Sequence, residues 1–174
     1  YLPYRDLHET SFPGSFLLYA LITRISGYSV TAYNITHMLL FAALSGASFL
    51  SLQHIHRRMA WAGTCLFGSM YFLMHRSMHM QRDFLVLLFV LLAIAVMSCR
   101  WRLTLRASLT GLLFGMASAI KPHAALAAPF VVLTGAMMHL SAMDVCNRRA
   151  AMQQCLRAAL LSLTGFVCVW LVII

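Results

Sequence analysis

The stretch that decides the fold is SVTAYNITHMLLFAALSGASFLSL, residues 29–52, which contains no charged side chain. A helix that crosses the roughly 30 Å hydrocarbon core of a bilayer needs about 20 mainly apolar residues. In lipid, a helix satisfies the backbone hydrogen bonds of its own residues. Residues 29–52 therefore predict a membrane-spanning helix.

Apolar runs of similar character occur on both sides of this stretch. A shorter helix is expected after Pro13-Gly14, ending at Gly27, where it either lies at the membrane surface or begins a span. The pattern predicts an all-α, multi-pass transmembrane helical bundle with a short outer loop that carries a juxtamembrane helix. The further spans are expected at about 59–74, 84–99, 107–120, onward from the interruption at 121–123 to 140, and 158–174.

The composition agrees with a membrane protein. The 174 residues are 61% hydrophobic and 10% charged, with a mean hydropathy of +0.81, whereas soluble domains are roughly 45–50% apolar and about 25% charged. We expect residues 1–174 to form a single membrane domain. Because the chain starts with Tyr1 and stops inside an apolar run, we expect this domain to be partial, with a first N-terminal span and a C-terminal part missing.

The net charge of +9 arises from short basic clusters between the apolar runs, as in loops that face anionic lipid headgroups. This distribution argues against a nucleic-acid partner. Alternate loops must lie on opposite sides of the membrane, and the side richer in bases is expected to be cytoplasmic. The richer set is Arg57, Arg58, Arg100, Arg102, Arg106, Arg148, Arg149 and Arg157, and the outward set is Arg5, Arg24, Arg76, Arg82 and Lys121.

Three of the four acidic residues fall in the outward set of loops. Asp6 and Glu9 lie three residues apart in RDLHE, a spacing that places both on one face if the segment is helical. Two carboxylates on one face can hold a divalent cation, Mg²⁺ or Mn²⁺, or divide the roles of acid and base. The alternative is an ordinary solvated loop at the membrane edge.

The third acid follows an arginine at the start of a predicted span, as Arg82-Asp83. A charged pair there is costly unless the two groups pair or serve a ligand; a snorkelling arginine with a partner is the simpler interpretation. His75 and His79 have metal-binding spacing, but no third ligand is evident.

Lys121, the single lysine of the chain, ends an apolar run and precedes Pro122. An ammonium at a membrane edge suits a phosphate as a point-charge partner. A lysine that snorkels to the headgroups is the alternative.

Three stretches together resemble the C-type membrane glycosyltransferase superfamily, which uses polyprenyl-phosphate sugar donors and includes protein mannosyltransferases and the aminoarabinose transferase of lipid A. YRDLHETSFPG resembles the family's Tyr-Arg-Asp segment, MQRDFLVLLFVLL its acidic residue at the outer start of a later span, and GLLFGMASAIKPHAALAAP its glycine-rich span with a lysine. The order of the three also agrees.

The resemblance implies a glycosyltransferase with its site on the non-cytoplasmic face, in the inner membrane of a bacterium. The donor is then a polyprenyl-phosphate-linked sugar, and the acceptor a glycan, lipid or protein. The implied catalytic residues are Asp6, Glu9 and Asp83, with Asp6 and Glu9 also possible metal ligands. The implied donor-phosphate ligands are Lys121, Arg82 and Arg5.

The chain departs from the family at two places. The family's main aspartate, which follows its first transmembrane helix, has no counterpart here, and Thr10-Ser11-Phe12 replaces what is often a basic residue and a first proline.

Two other classes of protein function stay open for this sequence. A transporter or flippase of a lipid-linked or anionic substrate would use the same charged residues as a path, and a structural membrane subunit would use them for topology alone.

Overall fold

The computed structural model describes residues 13–74, 82–99, 101–141 and 148–173. Within these ranges the chain is helical and contains no strand, which confirms the all-α prediction. The helices are α1 (Pro13–Ser26), α2 (Val30–Leu52), α3 (Arg57–Leu73), α4 (Arg82–Ser98), α5 (Leu103–Ile120), a 3₁₀ helix (Pro122–Ala127), α6 (Ala128–Ser141) and α7 (Arg148–Ile173).

Three of the described helices are long and apolar enough to cross a membrane. They are α2, α5 and the Met152–Ile173 part of α7. By comparison, α3 and α4 have 17 residues each. The sequence predicted six spans, so helix length and composition support a membrane protein, while the full number of spans stays a prediction.

The boundary between α1 and α2 lies where the sequence predicts it. Gly27 has a φ of 82°, a left-handed conformation that suits a residue without a Cβ. Ser29 then caps α2, because its hydroxyl accepts a hydrogen bond of 3.0 Å from the backbone N–H of Ala32. The two helices therefore meet at a defined turn.

Two helices begin earlier than the apolar runs do. We expected the last run to start at residue 158, but α7 begins at Arg148, and α5 begins at Leu103 rather than at residue 107. Both extensions consist largely of Arg, Gln, Leu, Ala and Met, which are good helix formers although several are polar. An apolar run in the sequence therefore shows which part of a helix is compatible with lipid, but it does not show where the helix begins.

Contacts between the helices fix their directions. The carbonyl of Met97 in α4 accepts a hydrogen bond of 2.8 Å from Arg106, near the start of α5, whereas Asp83 at the start of α4 pairs with Lys121, just after α5. The helices α4 and α5 are therefore antiparallel. We call the side with Asp83 and Lys121 the lysine end of the bundle, and the side with Met97 and Arg106 the arginine end.

The helix α7 runs parallel to α5, and small residues let the two backbones approach closely. A Cβ on Gly111 would collide with the carbonyl oxygen of Ser162, and one on Gly115 would lie 2.9 Å from the Val169 side chain. This is the close packing that the Gly-x-x-x-Gly spacing predicts. Near the lysine end, the indole N–H of Trp170 also donates a 3.0 Å hydrogen bond to the buried hydroxyl of Ser118.

The main apolar core lies towards the lysine end. Tyr71 of α3, Leu85 of α4 and Ile120 of α5 are almost completely buried there, together with Leu40 and Leu44 of α2. Aromatic and aliphatic side chains of α1, α3 and α4 pack around them. The charged pair at this end therefore lies beside the larger of the two apolar clusters of the described bundle.

Candidate functional site

The structure brings together two of the residues that the sequence singles out. The ammonium of Lys121 donates a hydrogen bond to Oδ1 of Asp83 and forms an ion pair with it, although 38 residues separate them in the chain. The sequence predicted that both would lie on one side of the membrane. It did not predict their direct contact.

The local sequence explains the position of the lysine. Lys121 is the C-cap of α5 and has an extended backbone, with φ −139° and ψ 112°. The residue before a proline is disfavoured in the helical region, so Pro122 stops α5 at this point. The backbone N–H of Lys121 still donates a hydrogen bond of 2.9 Å to the carbonyl of Ala117, which anchors the lysine to the helix.

The position of the carboxylate also has a local cause. Asp83 lies in the first turn of α4, where the unpaired backbone N–H groups and the helix dipole favour a negative charge. Antiparallel packing of α4 on α5 then places the start of one helix beside the end of the other. The pair therefore follows from a helix N-terminus, a proline stop and the direction of two helices.

The two partners differ in their access to solvent. The Lys121 side chain is 26% exposed, and the Asp83 side chain is 61% exposed. The lysine is therefore the more enclosed partner, and solvent reaches the carboxylate more easily. An ammonium in this position can pair with an anion such as a phosphate in place of the carboxylate.

The helix α1 begins directly beside this pair. A Cβ on Gly14 would lie 2.6 Å from the backbone oxygen of Ala119, two residues before Lys121. The neighbouring Ser15 is 2% exposed. Close packing of α1 against α5 thus requires glycine at position 14, and it places the start of α1 at the lysine end.

Tyr19 is influenced by the charges at the start of α4 and was not a candidate in the sequence analysis. It is half-buried against the main core, and burial raises the pKa of its phenol. The Arg82 guanidinium opposes this rise, while Asp83 and Tyr33 add to it. Burial and the charges at the start of α4 thus act together on this phenol, and no spacing or motif in the sequence marked it.

A group of rings continues from the site into the bundle. The Tyr71 ring stacks on His37, with centroids 5.3 Å apart, and meets Phe84, next to Asp83, edge to face at 4.9 Å. Both Tyr71 and His37 are buried. These contacts tie α2 and α3 to the start of α4 and fix the position of the helix that carries Asp83.

The other sequence candidates fall into two groups. Arg82 lies at the start of α4, next to Asp83 and near Tyr19. Asp6, Glu9 and Arg5 lie outside the described residues, as do His75 and His79. Within the described parts of the chain, no three His, Cys, Asp or Glu side chains are grouped as metal ligands, so the proposed cation site at Asp6 and Glu9 stays a prediction.

The arginine end of the bundle has a different chemistry. Arg106 donates hydrogen bonds to the carbonyls of Met97 and Cys99, at 2.8 and 3.0 Å, and so supplies a positive charge to the last turn of α4. Arg102 and Arg157 are exposed. Among the described residues, acidic and basic groups meet at the lysine end, whereas the arginine end presents bases.

A comparison of the chain with protein-family models, with curated proteins and with solved structures finds no significant match.

Proposed function

We propose that this chain is the membrane part of a glycosyltransferase that moves a sugar from a polyprenyl-phosphate donor to an acceptor at the lysine end of the bundle. The observation that carries the proposal is the pairing of Asp83 with Lys121. It pairs the acidic and the basic residue that the family resemblance assigns to one site, and these two residues lie at the start of α4 and the end of α5, 38 residues apart in the chain.

The proposed role of Lys121 follows from its charge and its fixed position. When the bond between the anomeric carbon and the donor phosphate breaks, its electron pair goes to a phosphate oxygen. A preorganised cation at that oxygen stabilises the transition state more than the ground state. Arg82, one residue before Asp83, is the second cation proposed for the donor phosphate, and Arg5 the third.

The proposed role of the acids follows from the other half of the reaction. The acceptor oxygen or nitrogen attacks the anomeric carbon and must lose a proton, which a carboxylate can accept. Glu9 is the proposed general base, with Asp6 beside it. Asp83 pairs with Lys121 and, in this proposal, orients it until the donor phosphate replaces the carboxylate.

The inclusion of Glu9 rests on the family resemblance and on its place in the sequence, five residues before Gly14. Gly14 packs against Ala119, two residues before Lys121 at the lysine end. Glu9 itself lies outside the described residues. A divalent cation held by Asp6 and Glu9 would add positive charge there; because both residues lie outside the described ranges, we derive no step through it.

The proposed location is the inner membrane of a bacterium, with the lysine end outside and the arginine end in the cytoplasm. The support is the excess of bases at the arginine end, since cytoplasmic loops are enriched in Lys and Arg. The three helices that are long and apolar enough to span are consistent with this placement.

The experiment is a transfer assay with the full-length protein in membranes, using a radiolabelled polyprenyl-phosphate sugar. We expect Glu9→Gln and Lys121→Ala each to reduce transfer by at least about 100-fold, with normal membrane insertion. The matched controls are Asp144→Asn, the fourth acid of the chain, and Arg157→Ala, an exposed base at the arginine end. Wild-type transfer by both test variants would contradict the catalytic assignment.

A further inference from the structure

Two tyrosines, Tyr19 of α1 and Tyr33 of α2, lie near the charged pair at the lysine end. Tyr19 packs against the main apolar core, which contains the buried side chains of Leu85 and Ile120. Leu85 lies two residues after the acid of the charged pair, and Ile120 directly precedes the lysine. Packing against this core therefore places the Tyr19 ring beside the helix ends that carry the pair.

Tyr33 continues a line of rings that begins next to the charged pair. Phe84, which follows Asp83, meets the Tyr71 ring edge to face, with centroids 4.9 Å apart. The Tyr71 ring stacks in turn on His37. Tyr33 lies four residues before His37, so both side chains leave the same face of α2, about 6 Å apart along the helix. Unlike the buried His37, Tyr33 is 43% exposed.

The two tyrosines are close to each other as well as to the charges. Burial raises the pKa of the Tyr19 phenol, Arg82 lowers it, and Asp83 and Tyr33 raise it further. Each of these groups is therefore near the Tyr19 hydroxyl. Because the two tyrosines belong to different helices, the packing of α1 and α2 at the lysine end brings them together. We call Tyr19 and Tyr33 the tyrosine pair.

We propose that the tyrosine pair binds the sugar of the donor, with the rings against C–H groups of the sugar and a phenol hydroxyl bonded to a sugar hydroxyl. This inference rests on the proposed function, because it needs the donor phosphate at Lys121. The sugar is joined to that phosphate through a single oxygen. It therefore lies directly beside the residues that hold the phosphate, which is where Tyr19 meets Arg82 and Asp83.

The chemistry of tyrosine suits a sugar better than it suits a phosphate. A sugar ring carries C–H groups on its faces and hydroxyl groups at its edge. Tyrosine offers an apolar ring with a polar tip, and its hydroxyl can both donate and accept a hydrogen bond. Lysine and arginine side chains only donate, which suits an anion. The charged residues and the tyrosine pair are therefore matched to two different parts of one donor.

The test measures binding of matched lipids to the full-length protein in detergent. One lipid is the methyl phosphodiester of undecaprenol, and the others carry mannose, glucose or aminoarabinose in place of the methyl group. All have the same tail and the same phosphodiester, so the ratio of their affinities reports what the sugar contributes. We expect wild type to bind at least one of the sugar-bearing lipids at least about tenfold more tightly than the methyl compound.

Two substitutions remove the proposed contacts one at a time. Tyr19→Phe keeps the packing of the ring and removes the hydroxyl, so the preference for the sugar-bearing lipid should fall about 3–10-fold. Tyr33→Leu removes an exposed ring and should lower this preference at least about threefold. Affinity for the methyl compound should change less than about twofold in both variants. The matched control is Tyr28→Leu, since Tyr28 is 92% exposed in the turn between α1 and α2.

The outcomes separate this inference from the proposed function. If Tyr19→Phe and Tyr33→Leu keep the preference of wild type and Tyr28→Leu, the tyrosine pair is not the sugar site, while the transferase proposal stands. Equal weakening of the methyl compound and the sugar-bearing lipid would show a structural role and overturn the inference. A wild type that prefers none of the three sugars overturns it as well. If wild type binds none of these lipids, the proposed function itself fails.

Discussion

Gly14 packs its Cα against the backbone of Ala119, so the first turn of α1 lies on the last turn of α5. An added Cβ would lie 2.6 Å from the Ala119 oxygen and 2.8 Å from its Cβ. These distances are too short for any side chain to be accommodated without movement. The contact fixes the start of α1 at the lysine end.

The first prediction concerns this contact. Gly14→Ala should displace α1 and lower sugar transfer by at least about tenfold, because small misplacements of reacting groups are costly. Gly46→Ala is the control, since nothing lies within 4 Å of its added Cβ and alanine is the better helix former. Equal activity of the two variants would show that the position of α1 is unimportant for the reaction.

The second prediction separates the stability role of the ion pair from its functional role. Because Asp83 is 61% exposed, we expect a double-mutant cycle of Asp83→Asn and Lys121→Met to give a coupling of only about 0.2–1 kcal/mol in the free energy of unfolding. Transfer should nevertheless fall at least about 100-fold in each single variant. A coupling of several kcal/mol with little loss of activity would show that the ion pair stabilises the fold and is not needed for the reaction.

The third prediction concerns the packing of α5 on α7. Gly111→Ala places a methyl group in collision with the backbone oxygen of Ser162, so it should destabilise the protein by about 1–3 kcal/mol. Unfolding in a denaturing detergent series measures the effect, again with Gly46→Ala as the control. Wild-type stability of Gly111→Ala would mean that the two helices separate more easily than the packing indicates.

The fourth prediction concerns sidedness. In the full-length protein with its native cysteines replaced, a cysteine at His123, which is exposed at the lysine end, should react with an impermeant thiol reagent added to intact cells. A cysteine at Arg102, exposed at the arginine end, should react only after the cells are opened. The reverse pattern of labelling would overturn the proposed orientation.

Most of the helical architecture was predictable from the sequence, because long runs without charge have few alternatives to a helix in lipid. Helix starts were less predictable. The helix α7 begins at Arg148 because Arg, Gln and Ala continue a helix as well as apolar residues do, so an apolar run underestimates its length.

The site was predictable in its members and not in its contacts. Asp83 and Lys121 stood out because a charged side chain at the end of an apolar run costs desolvation free energy. Their pairing depends on which helices are neighbours, and one sequence does not reveal this. Tyr19 was missed because a tyrosine in an apolar helix has an ordinary packing role, and its proximity to Arg82 and Asp83 comes from how α1 packs across the bundle.

The central claim is that Lys121 holds the phosphate of a lipid-linked donor, and the most direct test is the affinity of the full-length protein for undecaprenyl phosphate. Lys121→Met should bind at least about tenfold more weakly than wild type, since a hydrogen bond to a charged group contributes about 1.5–3 kcal/mol. Arg157→Met, the matched loss of a base at the arginine end, should bind like wild type. Equal affinities of wild type and Lys121→Met would contradict the account.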